Sequence, residues 1–151
     1  MSHALTLSRY IAAPRAALYR AWTEAELLKQ WFTPRPWTTP VVELDVRPGG
    51  ANFILMRGPD GEEFPNRGVY LEVAPNERLV FTDAYVNSDW EPAEKPFMTG
   101  IITFADEGAG TRYTARALHW SEADRATHEQ MGFHEGWGKA TDQLEALLRG
   151  A

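Results

Sequence analysis

Residues 121–149 read SEADRATHEQMGFHEGWGKATDQLEALLR, and this stretch decides the fold. It begins with Ser121, which is followed three residues later by Asp124, the spacing of a helix-capping box. No proline interrupts the stretch, and Gly150 follows its last apolar residues as a stop signal. At about 1.5 Å per residue, we predict a single helix of roughly 40 Å, long enough to cross a small domain.

The predicted helix has two different faces. At about 100° per residue, an apolar stripe contains Phe133, Trp137, Ala140, Leu144, Leu147 and Leu148. A narrow polar row beside it contains Thr127, Gln130, His134 and Thr141, with Met131 next to the row. Because buried polar groups need partners, we interpret the C-terminal half as a core anchor and the N-terminal half as a face that offers polar groups to a ligand. A row of half-exposed residues at the edge of the contact remains the alternative.

Composition limits the possible classes of protein. The chain has 151 residues, 44% of them hydrophobic, and we expect one globular domain over residues 1–151. A formal net charge of −6, without a run of five like charges, argues against nucleic acid or an anionic membrane surface as the main partner. The absence of cysteine excludes disulfides and thiolate chemistry. The sequence shows no signal peptide and no apolar run of membrane-spanning length, so we expect a cytoplasmic protein without membrane insertion.

The rest of the chain predicts two short helices and then a series of strands. Residues 4–12 predict a first strand, and two short helices follow, the second capped by Thr23. Six further strands are expected at residues 41–46, 52–57, 62–73, 78–86, 97–104 and 111–119. Tight turns between consecutive strands favour an antiparallel sheet of about seven strands. A sheet covered by one long helix is an α+β domain.

A gap is expected between this sheet and the long helix. A curved sheet leaves space beneath a helix where the facing side chains are small, and such positions are Gly68, Gly100, Ala115 and Ala117. The alternation in the last strand directs Tyr113 and His119 toward the helix together with these alanines. For residues 62–73 two choices stay open: the inner face holds Tyr70 and Glu72, or it holds Val69, Leu71 and Val73.

Several stretches resemble the SRPBCC superfamily, also described as START-like or birch-pollen-allergen-like. They read LYRAWTEAELLKQWF (18–32), DVRPGG (45–50), GVYLEV (68–73), ERLVFT (77–82), GTR (110–112) and GFHEGW (132–137). More narrowly, they are similar to the C-terminal domain of the activator of the ninety-kilodalton heat-shock-protein ATPase, over about residues 6–148. The resemblance implies a helix-grip fold, in which a curved antiparallel sheet wraps on a long C-terminal helix and two small helices close one end.

The same resemblance implies three classes of function. Members of the superfamily carry lipids, sense hormones, or act as polyketide cyclases and aromatases. We therefore expect a small hydrophobic or aromatic ligand in the cavity between sheet and helix, and an enzyme of cyclase or aromatase type remains open. The third class is a co-chaperone-like module that stimulates a heat-shock-protein ATPase, and it would expose Phe53 and Leu55 on the outer face of the sheet. No cofactor is expected, and a homodimer is left open.

Four side chains are candidates for acid/base chemistry in this cavity. They are His119 of the last strand, His134 of the helix, and the carboxylates Glu72 and Asp83. The alternative, that each histidine is bonded to the backbone in the core or at its rim, stays open. No metal site is predicted, because His128 and His134 point about 120° apart on one helix and cannot share an ion.

The residues expected to line the cavity are mostly aromatic or apolar. They are Trp31, Phe32, Ile54, Met56, Tyr70, Phe81, Tyr85, Trp90, Phe97, His119, Gln130, Met131 and His134. Ordinary core packing is the interpretation we favour for two further aromatic residues, Trp22 and Trp137, because both follow helical spacing.

Overall fold

Seven strands form one antiparallel sheet in the computed structural model, which describes residues 3–150. The strands are β1 (His3–Ile11), β2 (Thr38–Leu44), β3 (Ala51–Arg57), β4 (Glu63–Ala74), β5 (Arg78–Thr82), β6 (Thr99–Glu107) and β7 (Gly110–His119). Their order in the sheet is β1-β7-β6-β5-β4-β3-β2. The first strand therefore pairs with the last one, and β2 forms the opposite edge.

Four helices accompany the sheet. They are α1 (Arg15–Thr23) and α2 (Ala25–Leu28), which lie between β1 and β2, and then α3 (Glu122–Gln130) and α4 (Phe133–Gly150). The predicted α+β class, the seven strands and the order of the elements up to β7 are confirmed. Among residues 3–150, no helix combines the length and the apolarity that a bilayer crossing requires.

The prediction of one unbroken helix over residues 121–149 is wrong. Ser121 does cap the start, since its Oγ accepts a hydrogen bond from the N–H of Asp124 at 3.1 Å. The helix then ends at Gln130, and a new one begins at Phe133. Gly132 between them has a φ of 96°, a left-handed conformation that glycine adopts without a steric penalty. The residues before and after this break consequently do not share one helical face.

Two smaller predictions also need correction. Thr23 does not cap α2; it lies at the end of α1, where its Oγ1 donates to the carbonyl of Tyr19. The strand predicted over residues 78–86 ends at Thr82. Asp83 instead directs its carboxylate to the backbone N–H groups of Phe97 and Met98. Residues 83–98 thereby form a long connection before β6.

The inner face of the sheet carries the core. The alternation predicted for β7 is confirmed, because Tyr113, Ala115, Ala117 and His119 are all buried. In β4 neither of the two simple alternations holds, because the register shifts between Tyr70 and Glu72. As a result Tyr70 is buried in the core while Glu72 is exposed. A bulge of this kind turns the side chains that follow it to the other face.

A charged group ties the edge of the sheet to the last helix. The Nη1 atom of Arg9 on β1 lies 2.6 Å from Oδ1 of Asp142 and 2.9 Å from Oε1 of Glu145, both on α4. The Arg9 side chain is about 29% exposed, so this contact is partly shielded from water. The pairing fixes the position of α4 across the edge strand.

Candidate functional site

The space expected to hold a ligand between the sheet and α4 contains a packed aromatic cluster. Trp31 is buried, donates its Nε1–H to the carbonyl of Ala21, and packs edge-on against Trp22 with ring centroids 5.0 Å apart. Phe81 lies beside Trp22, with 5.8 Å between the ring centroids. The predicted lining residues that belong to this core cluster are Trp31, Phe32, Ile54, Met56, Tyr70 and Phe81. Their inward orientation is confirmed, while their part in binding stays a prediction.

Gly100 shows why the small residues of the sheet do not leave the expected gap. A Cβ atom at this position would lie 2.5 Å from two ring carbons of Phe81, so the phenyl ring occupies the space above the glycine. Ala115 and Ala117 on the neighbouring strand are fully buried. Small residues on β6 and β7 therefore make room for large side chains of the same core, which raises its packing density.

The buried histidines form a pair that the sequence did not predict. Nε2 of His119 on β7 lies 2.8 Å from Nδ1 of His128 on α3. Nδ1 of His119 lies 2.9 Å from the carbonyl oxygen of His3, which can only accept, so this nitrogen donates. In the neutral pair the Nδ1–H of His128 must then donate to Nε2 of His119. Burial, with the charge of His119 acting in the same direction, lowers the pKa of His128 to about 4.

Aromatic rings enclose this histidine pair. The ring of Phe97 lies 4.6 Å from that of His128 and 5.9 Å from that of His119, and Phe133 approaches His128 at 5.1 Å. Phe97 and His119, both predicted to line a cavity, are thus brought together. The pair joins α3 to the sheet and gives both ring nitrogens of His119 a partner. The contact of His119 with the backbone is the alternative that the sequence left open for this residue.

The predicted acid/base constellation does not assemble. His134 lies on the surface with its side chain 60% exposed, and its Nε2 is 3.5 Å from Glu129. Glu72 is also exposed, and its Oε1 lies 3.4 Å from Nε of Arg78. Asp83 uses its carboxylate to hold the 83–98 connection; burial raises its pKa, and the backbone hydrogen bonds act in the opposite direction. Only His119 of the four candidates faces the interior.

Four further residues predicted to line the cavity lie away from the core cluster. Gln130 is exposed, and Met131 is 70% exposed at the break between α3 and α4. The break explains both exposures. Residues before Gly132 do not continue the helix that begins at Phe133, so they do not lie on its inward face. Trp90 is 47% exposed in the 83–98 connection, where it packs edge-on against the half-buried Tyr85 at 5.3 Å.

A concave site lies instead between the edge strand β2 and the C-terminal half of α4. We call it the Trp37 cleft. It has a volume of about 570 Å³ and is lined by Lys29, Gln30, Thr33, Arg35, Pro36, Trp37, Thr38, Thr39, Gln143, Ala146 and Leu147. The lining thus comes from the segment after α2, from the start of β2 and from α4. Small-molecule sites have volumes of about 300–1,000 Å³, and this cleft falls within that range.

Gln143 holds the walls of the Trp37 cleft together. Its Nε2 donates to the carbonyl oxygens of Trp31 at 2.8 Å and Thr33 at 2.9 Å, and its Oε1 accepts the backbone N–H of Arg35 at 3.0 Å. A single amide therefore connects α4 to both ends of the connecting segment 31–35. The hydroxyl groups of Thr33 and Thr39 hydrogen-bond to each other beneath the segment. The backbone around the cleft is consequently fixed before any ligand arrives.

None of the eleven residues that line the cleft is acidic, and two of them are basic. Lys29 pairs with Glu26 at 3.1 Å, outside the lining. Arg35 forms no ion pair with any partner among residues 3–150. A second, shallower concave site of about 470 Å³ contains Arg15 and Arg78, but each of these has a carboxylate within 3.5 Å. The Trp37 cleft is therefore the one of these two sites that offers an uncompensated positive charge.

Three residues of the cleft were not predicted from the sequence as site residues: Arg35, Trp37 and Gln143. In the sequence, the prolines of residues 34–40 indicate only an interruption of regular structure, and Gln143 falls on the helix face opposite the apolar stripe. One available signal was the presence of an arginine and a tryptophan between prolines, since an exposed aromatic next to a cation is typical of recognition surfaces.

A curved antiparallel sheet, two short helices after the first strand and a C-terminal helix against the sheet define the helix-grip class of α+β proteins. The chain belongs to the family described as Activator of Hsp90 ATPase homolog 1-like protein, whose model matches residues 12–149. The sequence resemblance to this family is thereby confirmed. Among curated proteins, none matches the chain.

Solved structures of similar proteins support the same assignment. Protein NE0264 from Nitrosomonas europaea is 45% identical, with a TM-score of 0.93 over 97% of this chain and 94% of its own. Protein Ms6760 from Mycobacterium smegmatis is 29% identical, with a TM-score of 0.82 over 96% and 90%. The AHSA1-like protein from Aeromonas hydrophila is 20% identical, with a TM-score of 0.74 over 97% and 92%, and it shows the shared fold alone.

Proposed function

We propose that this protein binds a small organic molecule in the Trp37 cleft. The observation that carries the proposal is the cleft itself, a site of about 570 Å³ between the sheet edge and the C-terminal helix. The binding class agrees with the small hydrophobic or aromatic ligand that the family resemblance implies. The place differs from the expected one, because aromatic side chains fill the centre of the fold.

The rigidity of the cleft supports this function. Binding costs less free energy when the residues of the site are already ordered, since each immobilised side chain or loop reduces affinity. The three hydrogen bonds of Gln143 order the segment 31–35 in the absence of a ligand. The ring of Trp37 is supported from outside the cleft lining by Phe64, with 5.6 Å between their centroids.

The test uses two probes that differ only in charge, 2-naphthoate and the neutral 2-naphthamide. Each is added to ¹⁵N-labelled protein, and the indole N–H signal of Trp37 and the side-chain amide signals of Gln143 are followed. We expect saturable shifts of these signals with at least one probe. Native mass spectrometry of freshly purified protein shows in parallel whether a cellular ligand accompanies it.

A blocking variant and its control decide whether the cleft is the site. Ala146→Phe places a ring into the cleft from an exposed helix position, so binding should be lost while the fold is kept. Ala123→Phe adds the same ring to an exposed position on α3 and should bind as the unmodified protein does. The proposal is wrong if neither probe shifts the signals, or if Ala146→Phe binds normally.

A second candidate function is contact with a heat-shock-protein chaperone. It is supported by the description of the family and by apolar side chains toward the outer face of the sheet, where Val41 is 36% and Leu71 43% exposed. Phe53 and Leu55, the residues expected on that face, are half-buried, and the Arg67 guanidinium covers the Phe53 ring at 4.3 Å. A pull-down with the purified chaperone, repeated with Val41→Glu, tests this candidate.

The cyclase or aromatase alternative gains no support from the geometry. Its acid/base groups would have to meet at one place within hydrogen-bonding reach of a substrate. His134 and Glu72 lie on the surface in separate ion pairs, and His119 is bonded to His128 and to the backbone.

A further inference from the structure

We infer that the ligand of the Trp37 cleft is a monoanion with a planar apolar body, such as an aromatic carboxylate. This inference rests on the proposed function and names the chemical class that the site accepts. It rests on three features of the lining, namely its charges, its polar groups and its aromatic surface.

The charge of the cleft is opposite to that of the protein. The chain has a formal net charge of −6, yet the lining contains Lys29 and Arg35 and no acidic residue. Glu26 already compensates Lys29, and Arg35 has no acidic partner among residues 3–150. One uncompensated cation matches one negative charge on the ligand.

Arginine favours a carboxylate at this position. A guanidinium presents N–H donors in a planar fork that fits the two oxygens of a carboxylate. The backbone N–H of Arg35 is held by Gln143, so the main chain that carries the guanidinium is fixed while the side chain remains exposed. The ligand therefore meets a cation whose backbone needs no rearrangement.

The remaining lining offers apolar surface to the body of the ligand. Trp37, Pro36, Ala146 and Leu147 supply apolar surface on two sides, from the connecting segment and from α4. Planar rings pack on tryptophan with little loss of side-chain freedom, because the ring has few rotatable bonds. An aromatic acid can place its ring against Trp37 and its carboxylate at Arg35.

The test compares affinities for 2-naphthoate and 2-naphthamide by isothermal titration calorimetry. We expect 2-naphthoate to bind at least about tenfold more tightly, because hydrogen bonds to charged groups contribute more than neutral ones. Arg35→Gln should lower the affinity for 2-naphthoate toward that for 2-naphthamide and so remove this preference. Lys95→Gln removes one positive charge from an exposed position outside the lining and should keep the preference.

The outcomes separate this inference from the proposed function. If both probes bind equally well and Arg35→Gln changes neither, while Ala146→Phe abolishes binding, the cleft is a ligand site but the anionic class is wrong. If Lys95→Gln removes the preference as fully as Arg35→Gln, the effect comes from net charge and the assignment to Arg35 is wrong. If no probe binds in the cleft, the proposed function itself fails.

Discussion

The buried pair of His119 and His128 predicts a specific response of stability to acid. Because burial lowers the pKa of His128 from 6.5 to about 4, the native protein keeps this ring neutral where the unfolded chain protonates it. Stability is therefore lost as the pH falls from about 7 toward 4. The loss is up to about 1.4 kcal/mol per pH unit, and we expect about 1–2 kcal/mol in total once solvent screening is allowed for.

The variant His128→Asn isolates this effect. The asparagine amide can place an N–H donor close to the position of Nδ1, so it can still donate to Nε2 of His119, and it does not titrate. Urea unfolding of both proteins at several pH values gives the difference between their free energies of unfolding. The other ionisable groups are the same in both proteins, so their contributions largely cancel.

The expected result is that the unmodified protein loses about 1–2 kcal/mol relative to His128→Asn between about pH 7 and pH 4.5. A difference that stays constant over this range would refute the reasoning, because His128 would then bind protons equally in the native and unfolded states.

Two further predictions concern the core and the helix break. Tyr113→Phe removes the acceptor of the Trp22 indole N–H, which lies 3.0 Å from the tyrosine oxygen, so the free energy of unfolding should fall by about 1–3 kcal/mol in urea titrations. Tyr10→Phe, at an exposed position on β1, should change it by less than about 0.5 kcal/mol, and equal effects would contradict the assignment. Gly132→Ala forces alanine to a φ of 96° and should destabilise by about 1–2 kcal/mol in thermal unfolding. Gly136→Ala, on α4 with open space around the added Cβ, should be neutral or stabilising, and a loss as large as that of Gly132→Ala would show that the φ angle is not the cause.

Local patterns were sufficient to predict the seven strands and their order along the chain. The alternation of Tyr113, Ala115, Ala117 and His119 identified the inner face of β7, because each side chain points to the face opposite its neighbour. The same rule could not decide β4, since the register shift after Tyr70 depends on pairing with β5 and has no clear signature in the sequence.

The break before α4 shows the limit of helical periodicity. A glycine inside an apolar period is compatible with a continuous helix, so Gly132 gave no decisive signal. His134 lies on the exposed side of α4, and His128 on α3 is the buried histidine. Helical periodicity alone therefore did not identify which of the two histidines is buried.

The Trp37 cleft could not be predicted because its parts are distant in the chain. Gln143 meets Arg35 across 108 residues, and no local pattern encodes such a contact. The charge of Arg35 and the aromatic ring of Trp37 are visible in the sequence. That both residues line one cleft with Leu147 follows only from the packing of α4.

The pairing of β1 with β7 has a consequence for how the chain folds. Paired residues in these strands are separated by between 100 and 116 positions, from Ile11 with Thr111 to His3 with His119. During synthesis β1 therefore has no sheet partner until β7 has left the ribosome, and its edge stays open to other chains in the meantime. Closing so long a loop late favours slow folding. The ion pairs of Arg9 join β1 to α4, which follows β7 in the chain, so they too cannot form before β7 has been made.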